Sequence, residues 1–207
     1  MIKSFILTIA LTLSLQISAA VEVEKNVADN IKSSISQYSQ LLSKSGVKIE
    51  LERALYNKDK SKIKAATIWH TKAGEQAENV VLVRDEFDEY KGNFSSSKQD
   101  KLGLEITTRG HNVEFTDKNT EGKLKKAVDK YTKLFKKAKV GLIYDYSLYN
   151  SDKSKIKLVV KWQTSAGDNS ETIILSGDEF GEFQGYFKAS KKKQAQGKKG
   201  LPISITL

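Results

Sequence analysis

Leu55-Tyr56-Asn57-Lys58-Asp59-Lys60-Ser61-Lys62-Ile63-Lys64 comes back later in the chain as Leu148-Tyr149-Asn150-Ser151-Asp152-Lys153-Ser154-Lys155-Ile156-Lys157. The offset is 93 residues, and it persists outward on both sides. Trp69 meets Trp162, Thr71-Lys72-Ala73-Gly74 meets Thr164-Ser165-Ala166-Gly167, and Asp85-Glu86-Phe87 meets Asp178-Glu179-Phe180. Gly92 and Phe94 meet Gly185 and Phe187, and upstream Tyr38 and Leu41 meet Tyr131 and Leu134. Past Phe187 the offset becomes 97, so Gly103-Leu104 matches Gly200-Leu201 across a four-residue insertion. Ordered identity of this kind points to duplication within one chain. The boundary falls near His111, which divides the chain into a module at 21–111 and a second, basic module at 112–207.

Each module can be interpreted twice. Val27, Ile31, Ile35, Tyr38, Leu41 and Leu42 recur at helical spacing, as do Leu124, Val128, Tyr131, Leu134 and Phe135. Asn26 or Asp29, and Asn119 or Thr120, are candidate caps for the two helices. Strict alternation then takes over. Val47, Ile49, Leu51 and Leu55 form one face, echoed by Val140, Leu142, Tyr144, Tyr146 and Leu148. Ile63, Ala65, Thr67 and Trp69 form the next, with Ile156, Leu158, Val160 and Trp162 as counterparts. Val80 to Val83, Tyr90 to Phe94, and Leu104 with Ile106 complete a meander. In the second module the same roles go to Ile173 to Leu175, Phe183 to Phe187, and Leu201 to Ile205. The expected fold class is α+β: two tandem repeats, each one helix packed on an antiparallel meander of four to five strands. The insertion falls at a hairpin tip, where added residues cost least.

The first 20 residues have the form of a secretory signal peptide: Lys3, an apolar stretch from Phe5 to Leu15, and small residues at Ser18-Ala19-Ala20. Cleavage near Ala20 implies a secreted or periplasmic protein. The apolar run is shorter than the roughly 20 residues a spanning helix needs, and no second run follows it, so the mature chain has no transmembrane segment. Cysteine is absent, which excludes disulfides, thiolate nucleophiles and Cys-based metal sites.

No catalytic or metal-binding constellation emerges, and no cofactor motif either, so the chain reads as a non-enzymatic binding protein. Trp69 and Trp162 share a face with aliphatic residues and belong to the core. Tyr56-Asn57 and Tyr149-Asn150 sit beside polar turns, opposite Leu55 and Leu148. They are expected to be exposed at a binding edge. The acidic turns at Asp85-Glu86 and Asp178-Glu179, with Asp88, Glu89 and Glu182 nearby, could serve a carboxylate-dependent hydrolase. They lack the alternating ladder of a calcium loop and are better explained as solvated turns.

Charge is the most asymmetric feature. Residues 21–112 carry 15 basic and 14 acidic side chains, whereas residues 113–207 carry 19 and 11. The excess lies in the second helix and in the last hairpin of the second module, at Lys188, Lys191, Lys192, Lys193, Lys198 and Lys199. The basic module suits an anionic envelope surface such as lipid headgroups or acidic glycan, bound as by an adhesin or membrane-surface factor. With only three arginines in the chain, diffuse attraction is favoured over bidentate recognition, and nucleic acid is disfavoured. The layout of two helix-plus-meander modules resembles that of secreted inhibitor proteins that clamp an enzyme with a concave double sheet. That resemblance rests on layout alone and implies a protein partner of unknown identity, with the chain acting as its inhibitor.

Overall fold

The computed structural model describes residues 20–94, 104–135, 139–165, 167–188 and 200–207. The proposed signal peptide, apart from Ala20, and Lys191, Lys192, Lys193, Lys198 and Lys199 lie outside these residues.

The first half runs β1 (Val21–Glu22), α1 (Lys25–Leu42), β2 (Lys48–Tyr56), β3 (Lys62–Thr71), β4 (Gly74–Arg84), β5 (Glu89–Asn93) and β6 (Glu105–Arg109). The second runs β7 (Glu114–Phe115), α2 (Lys118–Phe135), β8 (Gly141–Tyr149), β9 (Lys155–Thr164), β10 (Gly167–Gly177), β11 (Glu182–Tyr186) and β12 (Pro202–Thr206). Each half forms one six-stranded antiparallel sheet, in the orders β1-β2-β3-β4-β5-β6 and β12-β11-β10-β9-β8-β7. The fold is α+β. Corresponding elements start 93 residues apart up to β5 and β11, and 97 apart at β6 and β12. The short strand ahead of each helix was not expected; two residues are too few to show a period.

The helices bury what their spacing dictates. Val27, Ile31 and Ile35 of α1 meet Ile49, Ile63, Leu82, Phe94 and Ile106 in one core. Leu124 and Val128 of α2 meet Leu142, Ile156, Leu158, Ile173 and Ile203 in the other. Each fully buried aliphatic side chain contributes about 1.5–3 kcal/mol. Leu41 and Leu134, expected on the apolar stripe, are instead exposed in the last turns of their helices. Both tryptophans pack against these cores, Trp69 edge-on to Phe94 at 5.0 Å and Trp162 against Phe187 at 5.7 Å.

Hydroxyl side chains of each helix also seal strand edges. Ser39 Oγ donates to the Ile49 carbonyl at 2.9 Å and accepts from its N–H at 2.6 Å, and Thr132 Oγ1 donates to the Leu142 carbonyl at 2.6 Å. At the far edge Tyr38 OH donates to the Glu105 carbonyl, and Tyr131 OH donates to that of Pro202. The sole proline opens an edge strand, where its missing N–H breaks no ladder. Gly92 and Gly185 lie where a Cβ would strike the backbone carbonyls of Val81 and Ile174.

The helix starts differ from expectation. Asp117 caps α2, accepting from the N–H groups of Asn119 at 2.9 Å and Thr120 at 3.0 Å, so neither Asn119 nor Thr120 is the cap. Glu24 precedes α1, whose first turn has no side-chain cap.

Candidate functional site

Tyr56 and Tyr149 are buried, at 3% and 7% exposure, which corrects the expectation of an exposed binding edge. The cause is a β-bulge in each strand. Pairing passes from Leu51↔Thr67 to Arg53↔Ala66, and from Tyr144↔Val160 to Tyr146↔Val159. The extra residues, Glu52 and Asp145, reverse which face every later side chain meets. Tyr56 and Tyr149 thereby turn to the core, and Leu55 and Leu148 turn away from it. Tyr56 OH donates to Glu24 Oε2 at 2.6 Å, and Tyr149 OH donates to Asp117 Oδ2 at 3.2 Å. Burial, then the Glu24 carboxylate, raises the Tyr56 pKa, while hydrogen bonds from Thr120 hold the Asp117 carboxyl at about 2. Asn57 is exposed as expected, whereas Asn150 is buried against expectation; Asn57 Oδ1 accepts from the Lys62 N–H and Asn150 Oδ1 from that of Lys155, both at 2.8 Å. The most conspicuous identity between the halves therefore closes a hairpin and ties it to a helix start. Lys188 is exposed at the end of β11, and its N–H donates to Glu171.

The acidic turn of the first half, expected to be solvated, packs between the halves, with Phe87, Asp88 and Glu89 buried and Glu86 still exposed. Glu89 is 0% exposed, and Lys157 of β9 is 2% exposed. Lys157 Nζ donates to Glu89 Oε2 at 2.7 Å and to Asp85 Oδ2, and it sits 4.8 Å from the centre of the Phe87 ring. Lys155 Nζ donates to Glu86 Oε2 at 2.8 Å, and Tyr146 OH donates to Glu89 Oε1 at 2.9 Å. Arg109 stacks on Tyr146 at 4.3 Å and on Phe115 at 5.1 Å. Burial and the Glu89 charge push the Tyr146 hydroxyl's pKa up. Asp88 holds the connection: its Oδ2 accepts from the Asn112 N–H at 2.6 Å and its carbonyl from the Gly110 N–H at 2.7 Å. In the second half Asp178, Glu179 and Glu182 are exposed, as the solvated-turn reading expects.

Among the described residues, two surfaces present in both halves are candidates for a ligand. One is the sheet face away from each helix, which on the second sheet is the part that the docked 85–89 turn leaves uncovered. Val81 and Val83 are exposed there on the first sheet, and Ile143, Ile174 and Tyr186 on the second. The other is a groove of about 350 Å³ between α2 and β12, lined by Lys123, Lys126, Ala127, Lys130 and Ser204. The corresponding groove of the first half is lined by Asn30, Ser33, Ser34 and Thr107 and is bordered by Tyr146 and Arg109. There Ser34 Oγ donates to the Thr107 carbonyl at 3.1 Å; alanine stands at the matching position in α2. Among the described residues no carboxylate pairs with Lys123, Lys126 or Lys130. Among them, too, no group of His, Asp and Glu is arranged to hold a metal ion, and no helix is long and apolar enough to cross a membrane. No protein-family model, curated protein or solved structure matches the chain.

Proposed function

We infer that the chain is an exported, non-enzymatic binding protein made of two duplicated modules, 21–111 and 112–207, that grips a protein partner on its open sheet faces. One observation carries the reading: each helix covers a single face of its sheet, and the opposite face keeps large apolar side chains exposed among lysines. Apolar side chains clustered on an otherwise polar surface favour a protein partner over bulk solvent. The buried junction supports it by joining the two sheets through paired charges. An inhibitor-like clamp is the form of partner binding that the layout suggests.

A second reading has its own support. Lys123, Lys126 and Lys130 replace Asn30, Ser33 and Gln37 of the first half, so the basic surface lines a groove as well as a helix face. This favours an anionic lipid or glycan surface. The two readings separate in a pull-down from envelope and culture-fluid extract, with residues 21–207 as bait. A stoichiometric protein retained at high salt, and lost when Ile174→Glu and Tyr186→Glu are introduced, supports the clamp. Retention of only lipid, glycan or mixed acidic proteins, all released by salt, supports the anionic-surface reading. Expression of the full chain should also yield a processed protein beginning at Val21; an uncleaved product in the cytoplasm contradicts export.

A further inference from the structure

The turn between β4 and β5 and the turn between β10 and β11 carry the same chemistry in different surroundings. Asp85-Glu86-Phe87-Asp88-Glu89 and Asp178-Glu179-Phe180-Gly181-Glu182 stand 93 residues apart. Both turns are built alike. Asp85 Oδ1 accepts from the N–H groups of Phe87 at 2.9 Å and Glu89 at 3.0 Å, and Asp178 Oδ1 accepts from those of Phe180 at 2.9 Å and Glu182 at 2.8 Å. The fourth residue has positive φ in each, 59° at Asp88 and 76° at Gly181. The first turn is docked on the second sheet, and Phe87 is 3% exposed. The second turn docks on nothing among the described residues. Phe180 is 80% exposed, the highest value among the large apolar side chains described. Asp178, Glu179 and Glu182 are exposed and have no cation partner among the described residues.

The receiving face is duplicated as well. Lys155 and Lys157, which take Glu86, Asp85 and Glu89, correspond to Lys62 and Lys64 of β3. Those two lysines are exposed, with no carboxylate partner among the described residues. Tyr146, the second hydrogen-bond donor to Glu89, corresponds to Arg53, which is exposed and supplies a cation where Glu182 would need one. Val83 and Val81, the cross-strand neighbours of Lys62 and Lys64, are half exposed and offer apolar surface for a phenyl ring.

We propose that the β10–β11 turn of one chain docks on the open face of the first sheet of a second copy, repeating between chains the junction that exists within each chain. Asp178 and Glu182 then take the place of Asp85 and Glu89 on Lys64, with Arg53 beside Glu182. Glu179 meets Lys62, and Phe180 lies over the Lys64 stem and the two valines. A second copy is the occupant because both members of a working interface are present on one chain, with Arg53 in place of Tyr146 and Gly181 in place of Asp88, and both are unused among the described residues. The contact is heterologous: each added copy leaves one free turn and one free face, so association proceeds head to tail. It rests on the intramolecular junction and is independent of any foreign partner.

Sedimentation velocity on the protein alone, from roughly micromolar to millimolar concentration, tests this. The weight-average mass should rise with concentration at low salt, and affinity should fall about tenfold or more as salt screens the charge pairs. Two surface variants dissect it. Lys62→Glu with Lys64→Glu removes the face, and Glu179→Lys with Phe180→Ser removes the turn. Each should be monomeric alone, with an unchanged circular dichroism spectrum. Mixed in equal amounts they should give a dimer and nothing larger, because one intact turn and one intact face remain. A wild-type protein that stays monomeric throughout overturns the proposal. So does association that neither variant affects, or a mixture that remains monomeric or grows beyond the dimer. Ile174 and Tyr186 play no part, so this result and the pull-down fail separately.

Discussion

Replacing Lys157 with methionine keeps most of the side-chain volume and removes one charge from the junction. Glu89 would remain fully buried with weaker company: Tyr146 OH at 2.9 Å, Arg109 Nε at 3.6 Å and Lys91 Nζ at 3.9 Å. Removing one partner of a buried ion pair costs about 3–5 kcal/mol, because the other charge stays desolvated. The remaining donors around Glu89 place the expected loss near the lower end, about 3 kcal/mol. For a chain of this size that corresponds to a fall in Tm of about 6–12 °C. Glu89→Gln alone should also destabilise, by leaving Lys157 with Asp85 only. The double variant should be more stable than the sum of the two losses predicts, with a coupling of about 2 kcal/mol, since a buried pair replaced together is close to neutral. Thermal unfolding followed by circular dichroism, repeated with urea, reads all three. Single variants within about 0.5 kcal/mol of the wild type, or a double variant that equals the sum of the singles, would refute the argument that this pair holds the junction.

Further expectations follow from the same geometry. Gly110→Ala drives a Cβ into the Asp88 carboxylate and should cost about 1–3 kcal/mol in urea unfolding; a neutral result means the 110–112 connection yields freely to an added methyl group. Asp117 has a folded pKa of about 2, below its ordinary value of 3.8, so its contribution is present above about pH 4 and lost as the pH falls towards 2. Asp117→Asn should therefore lower the Tm at neutral pH, with the gap to wild type closing by about pH 2; a gap independent of pH removes Asp117 from the capping account. Tyr56→Phe deletes the hydrogen bond to Glu24 and should cost about 1 kcal/mol without changing partner retention. Retention lost with stability unchanged would instead restore Tyr56 to a binding edge.

How far the sequence reached depended on whether a feature leaves a period. The core faces of β3 and β9 alternate without interruption, and Ile63, Ala65 and Thr67, like Ile156, Leu158 and Val160, are buried as their pattern requires. The same logic misplaced Tyr56 and Tyr149, because a bulge adds one residue and alternation gives no sign of it. Glu52 and Asp145 look like ordinary outward residues of their strands. The junction was hidden for another reason. Glu89 and Lys157 are 68 positions apart, and each sits in a stretch whose composition suggests solvent. A signal was nevertheless present in the comparison of the halves. Tyr146 stands opposite Arg53 in the alignment, and Asp88 opposite Gly181, at otherwise parallel positions. These two differences fall on residues that join the halves, whereas Asp85, Glu86, Glu89, Lys155 and Lys157, which also join them, are matched by the same residue types 93 positions away and carry no such sign. The open faces were legible only in part: Val81 and Val83 belong to an apolar run, and exposure on one side of it depends on where α1 lies.

The claim that the open sheet faces grip a protein partner is tested most directly by photo-crosslinking in the cells that produce the protein. A benzophenone amino acid would replace Ile174 on the second open face and, as a control, the exposed Leu134 of α2. The account predicts one discrete protein adduct from position 174 and none from position 134. Adducts to lipid alone, or equal yields of many proteins from both positions, would contradict it.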